Sequence, residues 1–220
     1  MIIDLTMELR EGIITFPVHW HPTVEISQLG RFEVEGRETR KVTLGTHTGT
    51  HVDAPRHFVP GGMTVENVPL DSCYGPARVL DFSDLADFSE ISVELLKERL
   101  GDAHPPRLVF RYGWDNRLDS LEYYSHHPYL SEAACHYLVE RGVVLVGFDA
   151  PMPDNPKNGR GCELDSPNHN ILLGNGVIIL EYLINLSQIP KQDFILSALP
   201  LKIKNGDGAP VRAVAILNED

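Results

Sequence analysis

Residues 47–57 read HTGTHVDAPRH, and this stretch does most to fix the interpretation of the chain. It places His47, His51, Asp53 and His57 within eleven residues, with Thr, Gly and Pro between them. Imidazole nitrogens and carboxylate oxygens are ligands that divalent transition metals take in proteins. Closed structural zinc sites usually recruit cysteines, and this stretch has none. The stretch therefore predicts a catalytic metal site.

The residues before and inside this stretch indicate how it folds. Residues 39–44 are rich in β-branched side chains and predict a strand that runs into the motif. After Gly45 we expect a loop or tight turn, since Gly49 permits backbone angles that other residues resist. Such a turn would bring His47, His51 and Asp53 around one ion. His57, beyond Pro55, would lie beside that ion as a general base or acid.

Length and composition set the class of protein. The chain has 220 residues and a formal net charge of −12, which suits a single globular domain over residues 1–220. The acidic balance argues against nucleic-acid binding. The apolar runs of the chain are too short to span a membrane, and we expect no membrane partner. Cys73, Cys135 and Cys162 form no CxxC pair, and the N-terminus lacks a basic segment followed by an apolar run, so a reduced, cytoplasmic protein is expected.

Periodicity predicts an α/β fold with a mixed β-sheet and flanking helices. Two helices are expected, at residues 92–100 and 131–141, because each begins at a serine and is followed by a glycine. Gly/Pro-rich loops are expected at residues 59–63 and 151–161, and the second would border an active site. Besides residues 39–44, strands are expected at residues 78–82, 108–112, 143–148, 194–199 and 211–217.

A second stretch, residues 166–186, reads SPNHNILLGNGVIILEYLINL. His169 and Glu181 stand twelve residues apart in it, around the strand-like residues 177–180. A glutamate in so apolar a run is costly to bury unless it is paired or bound to a metal. On these residues alone, a structural role for either side chain stays open.

The two stretches together resemble the cyclase family of metal-dependent hydrolases, which includes bacterial kynurenine formamidases (arylformamidases) and isatin hydrolases. The family signature H-x-G-T-H-x-D-x-P-x-H is matched without a gap by residues 47–57. The later block H-x-x-L-L-x-x-G-V-x-I-x-E-x-L-x-N-L is matched by residues 169–186, and residues 147–155 resemble the family's G-x-D-A segment. The resemblance covers nearly the whole chain.

This resemblance implies a site and a fold. His47, His51 and Asp53 would hold one metal, and Asp53, His169 and Glu181 a second or shared one. The formamidases use two bridged zinc ions and the isatin hydrolases use manganese, so one or two Zn²⁺ or Mn²⁺ ions are expected. His57 falls on the catalytic proton-transfer position. The implied fold is the swivelling β/β/α arrangement, and the implied assembly is a homodimer or higher homo-oligomer.

The resemblance also implies hydrolysis of an amide-type bond in a small-molecule substrate, either an aryl formamide such as N-formylkynurenine from tryptophan catabolism or a cyclic amide. Two alternatives stay open: a lactam or lactone hydrolase or cyclase that uses the same metal, and a non-catalytic metal- or small-molecule-binding module.

Residues 15–22, TFPVHWHP, depart from the family pattern because no glycine follows the proline. Phe16 and Trp20 would line a substrate pocket or serve only as packing residues. Asp149 and Asp154 could orient metal ligands from behind. The roles of His19, His21, His126 and His127 are left open.

Overall fold

The computed structural model describes residues 1–158, 162–163 and 165–217, and a nine-stranded mixed sheet dominates these residues. The strands are β1 (Ile2–Asp4), β2 (Glu25–Gly30), β3 (Thr39–Thr43), β4 (His51–Asp53), β5 (Tyr74–Asp81), β6 (Glu90–Ile91), β7 (Arg107–Arg111), β8 (Tyr129–Leu130), β9 (Leu145–Phe148), β10 (Ile178–Glu181), β11 (Asp193–Ser197), β12 (Gly208–Pro210) and β13 (Val214–Ile216). The order of the strands in the nine-stranded sheet is β1-β13-β11-β5-β7-β9-β10-β4-β12. The helices are α1 (Phe32–Glu35), α2 (Leu70–Cys73), α3 (Val93–Leu100), α4 (Glu122–Ser125), α5 (Glu132–Glu140) and α6 (Pro167–Gly174).

Strands β5, β7, β9 and β10 run parallel at the centre of the sheet. Every residue of β9 and β10 is buried, including Glu181, because both faces of the sheet are covered. One face packs against α3, α5 and α6 through residues such as Leu96, Leu138 and Leu172. The opposite face closes on a second apolar cluster around Leu5 and Leu196. The expected α/β fold with a mixed sheet is confirmed.

The two helices expected from their serine starts are present. The Ser92 hydroxyl accepts the N–H of Leu95 at 3.3 Å, and the Ser131 hydroxyl accepts that of Ala134 at 3.1 Å. Each side chain satisfies one backbone donor that the first helical turn leaves unpaired. Helix α3 ends at Gly101, whose N–H bonds to the Lys97 carbonyl. Helix α5 then delivers the chain to buried strand β9, as the sequence predicted.

Three local expectations were wrong or incomplete. Residues 39–43 form β3, but within the described ranges this strand pairs with β2 in a separate hairpin and not with the central sheet. The segment after Gly45 does turn, but it re-enters the sheet as β4, so His51 and Asp53 lie on a strand and not in a loop. Residues 211–217 contribute only the short strand β13. Among the described residues, no helix has the length and apolar character needed to cross a membrane.

Candidate metal centre

Two neighbouring strands carry three of the predicted ligands. Strand β4 pairs antiparallel with β10, and the register places His51 opposite Glu181. Side chains alternate along a strand, so His51 and Asp53 share one face, and Glu181 lies on that face across the pair. All three are buried, with at most 4% of each residue exposed. The sheet register therefore brings together residues 130 positions apart in the chain.

Polar atoms of these side chains converge without completing their hydrogen bonds. His51 Nε2 lies 3.1 Å from Asp53 Oδ1 and 3.5 Å from Glu181 Oε2. His51 Nε2, Asp53 Oδ2 and Glu181 Oε1 are all buried and have no hydrogen-bond partner among the described residues. One donor atom from each of the three residues lies within 4.8 Å of the others. Because unpaired buried polar groups are costly, this donor set fits a divalent metal ion.

Helix α6 supplies His169 to the same cluster. His169 Nε2 lies 3.5 Å from Asp53 Oδ2 and 3.4 Å from Glu181 Oε1. Asp154 accepts the backbone N–H groups of Asn168 and His169 at 2.7 and 3.2 Å, which anchors the start of α6. The same carboxylate lies 2.5 Å from His169 Nδ1, so it orients the imidazole with Nε2 towards the cluster. These contacts fit the supporting role considered for Asp154.

His47 reaches the cluster from the turn between β3 and β4. Gly49 adopts a φ of +65° in this turn, as its position in the motif suggested. His47 Nδ1 lies 2.7 Å from Asp53 Oδ1, and its Nε2 lies 2.9 Å from Asp207 Oδ2. Each of the three predicted histidine ligands thus has one nitrogen in the cluster and the other on an outer acceptor. For His51 that acceptor is the Gly49 carbonyl, at 2.8 Å.

His57 lies at the rim of the cluster, in a 3₁₀ turn over Pro55–His57. Its ring stacks on that of His47, and its Nδ1 lies 3.5 Å from Asp207 Oδ2. By distance the donors form two groups, His51 with Asp53 and Glu181, and His47 with Asp53 and His57. This differs from the division implied by the resemblance, in which His47 and His51 share an ion. Asp53 belongs to both groups, so it occupies the bridging position in either arrangement.

The electrostatics of the cluster favour positive charge. Burial disfavours the protonated form of His47, but Asp53 and Asp207 outweigh it and raise the pKa of His47 to about 10. Burial also acts on His169, where Asp154 overcomes it and the pKa lies well above its ordinary value. Burial and the nearby Asp53 raise the pKa of Glu181. The negative charge of the carboxylates, which raises the pKa values of these histidines, also attracts a metal cation.

An aromatic-walled cavity of about 200 Å³ opens onto the cluster. Phe16 and Trp20, the two predicted pocket residues, both line it. Phe16 packs edge-on against Tyr124, with ring centroids 5.7 Å apart. The other described residues that line the cavity include His21, Phe58, Met152, Asn155, Asn158, Asp165, Ser166 and Tyr182. The predicted loop after residue 150 does border the site, although part of it lies outside the described residues.

The histidines left open by the sequence separate into two groups. His21 lines the cavity, with its ring centroid 6.1 Å from that of His47. Burial in this pocket lowers the pKa of His21 to about 4, so its imidazole is neutral at ordinary pH. His19, His126 and His127 are not among the described lining residues. His127 is fully buried and donates through Nδ1 to the Pro128 carbonyl, which is a packing role.

Sequence reasoning missed Asp207 entirely. Asp207 sits just before edge strand β12, which pairs with β4 on the side opposite β10. No motif or spacing marks it, and only the strand pairing brings it beside His47. Asp149, which was considered as a support for ligands, instead accepts the N–H groups of Tyr112, Gly113 and Trp114 at 2.8 to 3.2 Å. It ties the end of β9 to the end of β7.

Comparison with known proteins places this site in a family. Residues 3–155 match the family model Cyclase, described as "Putative cyclase". A kynurenine formamidase of Salinibacter ruber is 40% identical over 171 residues, which cover 78% of this chain and 76% of the relative. A kynurenine formamidase of Geobacillus thermodenitrificans is 33% identical over 211 residues, covering 96% of this chain and 95% of the relative.

Solved structures agree in fold over the full chain. Isatin hydrolase A from Labrenzia aggregata, bound to benzyl benzoate, superposes with a TM-score of 0.86 at 28% identity, covering 100% of this chain and 94% of that one. Isatin hydrolase A from Ralstonia solanacearum gives a TM-score of 0.87 at 26% identity, with 99% and 92% covered. The family match and these relatives agree with the sequence motifs and with the converging donors. The chain belongs to the cyclase family of metal-dependent hydrolases.

Proposed function

We propose that this enzyme hydrolyses an amide-type C–N bond in a compact aromatic substrate, either an aryl formamide such as N-formylkynurenine or a cyclic amide of the isatin type. One observation carries the proposal. Buried metal-ligating atoms of His51, Asp53 and Glu181 that have no described hydrogen-bond partner converge at an aromatic-walled cavity, which His57 also lines. The names of the relatives support the bond type, since they are kynurenine formamidases and isatin hydrolases.

Five residues would hold the metal: His47, His51, Asp53, His169 and Glu181. Their nitrogen and oxygen donors suit Zn²⁺ or Mn²⁺, and the central place of Asp53 in both donor groups supports one or two ions. When bound, the metal lowers the pKa of a coordinated water towards about 7 and polarises the substrate carbonyl. The three outer acceptors, Gly49, Asp154 and Asp207, hold the histidine rings in place for this ligand set.

His57 would move the proton in the reaction. It removes a proton from the attacking water as the water oxygen bonds to the carbonyl carbon. The C–N bond then breaks, and His57 returns the proton to the leaving nitrogen. The products are a carboxylic acid and an amine, or one ring-opened amino acid when the amide is cyclic. Burial lowers the pKa of His57, which keeps the ring neutral and able to accept the proton.

The cavity restricts the substrate. Its volume of about 200 Å³ is below the range of typical ligand pockets, about 300 to 1,000 Å³. Phe16, Trp20, Phe58 and Tyr182 offer ring faces and edges for a flat aromatic group. None of the described lining residues is a lysine or arginine that could pair with a substrate carboxylate. A substrate without a carboxylate, such as a neutral cyclic amide, is therefore the second candidate beside the aryl formamide.

The test is turnover of a matched substrate panel by protein loaded with Zn²⁺ or Mn²⁺. The panel contains N-formylkynurenine, formanilide, isatin and a simple aromatic lactone. We expect hydrolysis of at least one amide, with one water added to the product. Turnover of the lactone alone, or a product without added water, would replace amide hydrolysis by lactone hydrolysis or cyclisation. A fully metal-loaded protein inactive on the whole panel would favour a binding module.

Assembly and location belong to the same proposal. The family resemblance supports a homodimer or higher homo-oligomer. The three cysteines, all of which are free, support a location in the cytoplasm. Light scattering after size-exclusion chromatography measures the assembly directly, and a monomer at micromolar concentration would contradict it.

A further inference from the structure

Asp207 is fixed beside the metal cluster by its own backbone. Its carbonyl accepts the N–H of Ala54 at 2.9 Å, and the next residue, Gly208, pairs with Asp53 in the β12–β4 ladder. A Cβ atom on Gly208 would lie 2.8 Å from His47 Cε1, so this edge strand is pressed directly against the imidazole. The carboxylate therefore has little freedom to leave the site.

The carboxylate of Asp207 faces two side chains of the motif, His47 and His57, and that of Thr46 just before it. Oδ1 accepts the Thr46 hydroxyl at 2.9 Å. Oδ2 lies 2.9 Å from His47 Nε2 and 3.5 Å from His57 Nδ1. An ionised aspartate is an acceptor only, so any ring nitrogen that bonds to Asp207 must carry the hydrogen.

We propose that Asp207 is a positioning residue that fixes the orientation and tautomer of both His47 and His57. With the hydrogen of His47 on Nε2, its Nδ1 lone pair is directed to the metal side, next to Asp53. With the hydrogen of His57 on Nδ1, its Nε2 is left free to take a proton. The carboxylate of Asp207 thereby determines which nitrogen of His47 faces the metal and which nitrogen of His57 accepts the proton.

This role differs from that of the other outer acceptors. In the part of the chain that the structure describes, Asp154 contacts one imidazole, that of His169, and the Gly49 carbonyl contacts one, that of His51. Asp207 touches two imidazoles because their rings stack 3.8 Å apart. The pairing of β12 with β4 brings Asp207 to the site. A residue from the last third of the chain therefore completes the motif of residues 47–57. The inference rests on the proposed function for its kinetic consequence but not for its tautomer or metal-affinity consequences.

The test compares Asp207→Asn with Asp119→Asn, an exposed carboxylate that pairs with Arg10. The first readout is long-range ¹H–¹⁵N NMR of the Zn²⁺-loaded protein, in which His47 is not held as the imidazolium, with the two rings assigned through His47→Gln and His57→Gln. In the unsubstituted protein we expect the hydrogen on Nε2 of His47 and on Nδ1 of His57. Asp207→Asn should change the pattern of both rings, because the amide can donate as well as accept. Asp119→Asn should change neither.

The second readout is metal affinity, measured by chelator competition with Zn²⁺ and Mn²⁺. Asp207→Asn should weaken binding about 10- to 100-fold, the usual effect of removing an outer partner of a histidine ligand. At saturating metal, kcat should also fall by about 10-fold or more while KM stays within about twofold. Asp207→Ala serves as the second variant if the asparagine protein does not fold.

Unchanged NMR patterns of His47 and His57 in Asp207→Asn or Asp207→Ala, or a metal affinity of these variants within about twofold of the original, would overturn the proposal. A lower kcat with both patterns unchanged would also overturn it, since that result indicates a structural role. If the unsubstituted protein hydrolyses no amide, the proposed function fails, but the NMR and affinity results still decide the role of Asp207.

Discussion

The imidazole rings of His47 and His57 stack with centroids 3.8 Å apart and planes inclined by 26°. Two protonated imidazoles at this distance would repel each other, so the stack favours a state in which one ring is charged and the other is neutral. Asp53 and Asp207 overcome burial at His47 and raise its pKa to about 10, whereas burial lowers the pKa of His57. The stack therefore keeps His57 neutral beside a neighbour that carries the positive charge or binds a metal.

The lowered pKa of His57 predicts the acid limb of the pH–rate profile. A general base works only when neutral, and a lowered pKa keeps His57 neutral to a pH below its ordinary value of 6.5. We expect kcat/KM to fall as pH falls through a value below 6.5 and to be level above it. The measurement is kcat/KM against pH, with metal content determined at each point. A limb above neutral pH with metal content constant would contradict this prediction.

Replacement of His57 should separate chemistry from metal binding. His57→Gln should lower kcat by about 10²- to 10⁴-fold, the usual contribution of a general base, while metal content stays near that of the original protein. His136→Gln, on the exposed face of α5, is the matched control and should leave both unchanged. Because His57 lies in one of the two donor groups, loss of metal in His57→Gln would show that it is a ligand instead.

How far the sequence predicts this site depends on the range of the interaction. His47, His51, Asp53 and His57 are close in sequence, so their proximity follows from a local turn. His169 and Glu181 were placed only through the family resemblance. Asp207 carried no signal, because its position depends on edge strand β12 pairing with β4, and a three-residue strand containing glycine and proline has no recognisable periodicity.

The same reason explains the errors in the fold. The buried parallel strands and the serine-capped helices were predicted, since a short apolar run or a cap is a local pattern. Strand β3 was recognised, but its partner was not, because pairing is a tertiary property. His169 was not expected on a helix: α6 follows a loop, is preceded by Ser166 with a φ of +47°, and is anchored by the distant Asp154.

Metal removal should destabilise the protein measurably. A ligand that binds only the folded state stabilises it by about 2.7 kcal/mol when present at 100 times its Kd. For a chain of this length that corresponds to a loss in Tm of roughly 5 to 10 °C on removal of the metal. Calorimetry before and after treatment with EDTA, with Zn²⁺ or Mn²⁺ added back, measures the difference. An EDTA-treated protein with the same Tm would contradict tight binding at this cluster.

Glu181→Gln should reduce the difference in Tm between metal-bound and metal-free protein without unfolding the metal-free protein. Burial and the neighbouring Asp53 raise the pKa of Glu181, so in the absence of metal its charge is unfavourable. The amide keeps the shape and removes the charge, so the metal-free Tm should stay equal or rise by a few degrees. The metal-dependent increase in Tm should shrink, because one of the five ligands is missing. A variant stabilised by Zn²⁺ or Mn²⁺ as strongly as the original protein would exclude Glu181 as a ligand.

Phe16 and Trp20 decide whether the aromatic wall binds substrate or only packs. Phe16 is half-buried against Tyr124, and Trp20 is 49% exposed at the mouth of the cavity. If these rings bind the aromatic group of the substrate, Phe16→Leu and Trp20→Leu should raise KM by about 5- to 30-fold, equivalent to about 1–2 kcal/mol of lost contact, with smaller changes in kcat. Phe32→Leu, an exposed aromatic in helix α1 that does not line the cavity, should leave KM unchanged. If only stability changes in Phe16→Leu and KM does not, the ring is a packing residue. Other residues of the cavity would then select the substrate, beginning with His21, whose ring lies beside that of His47.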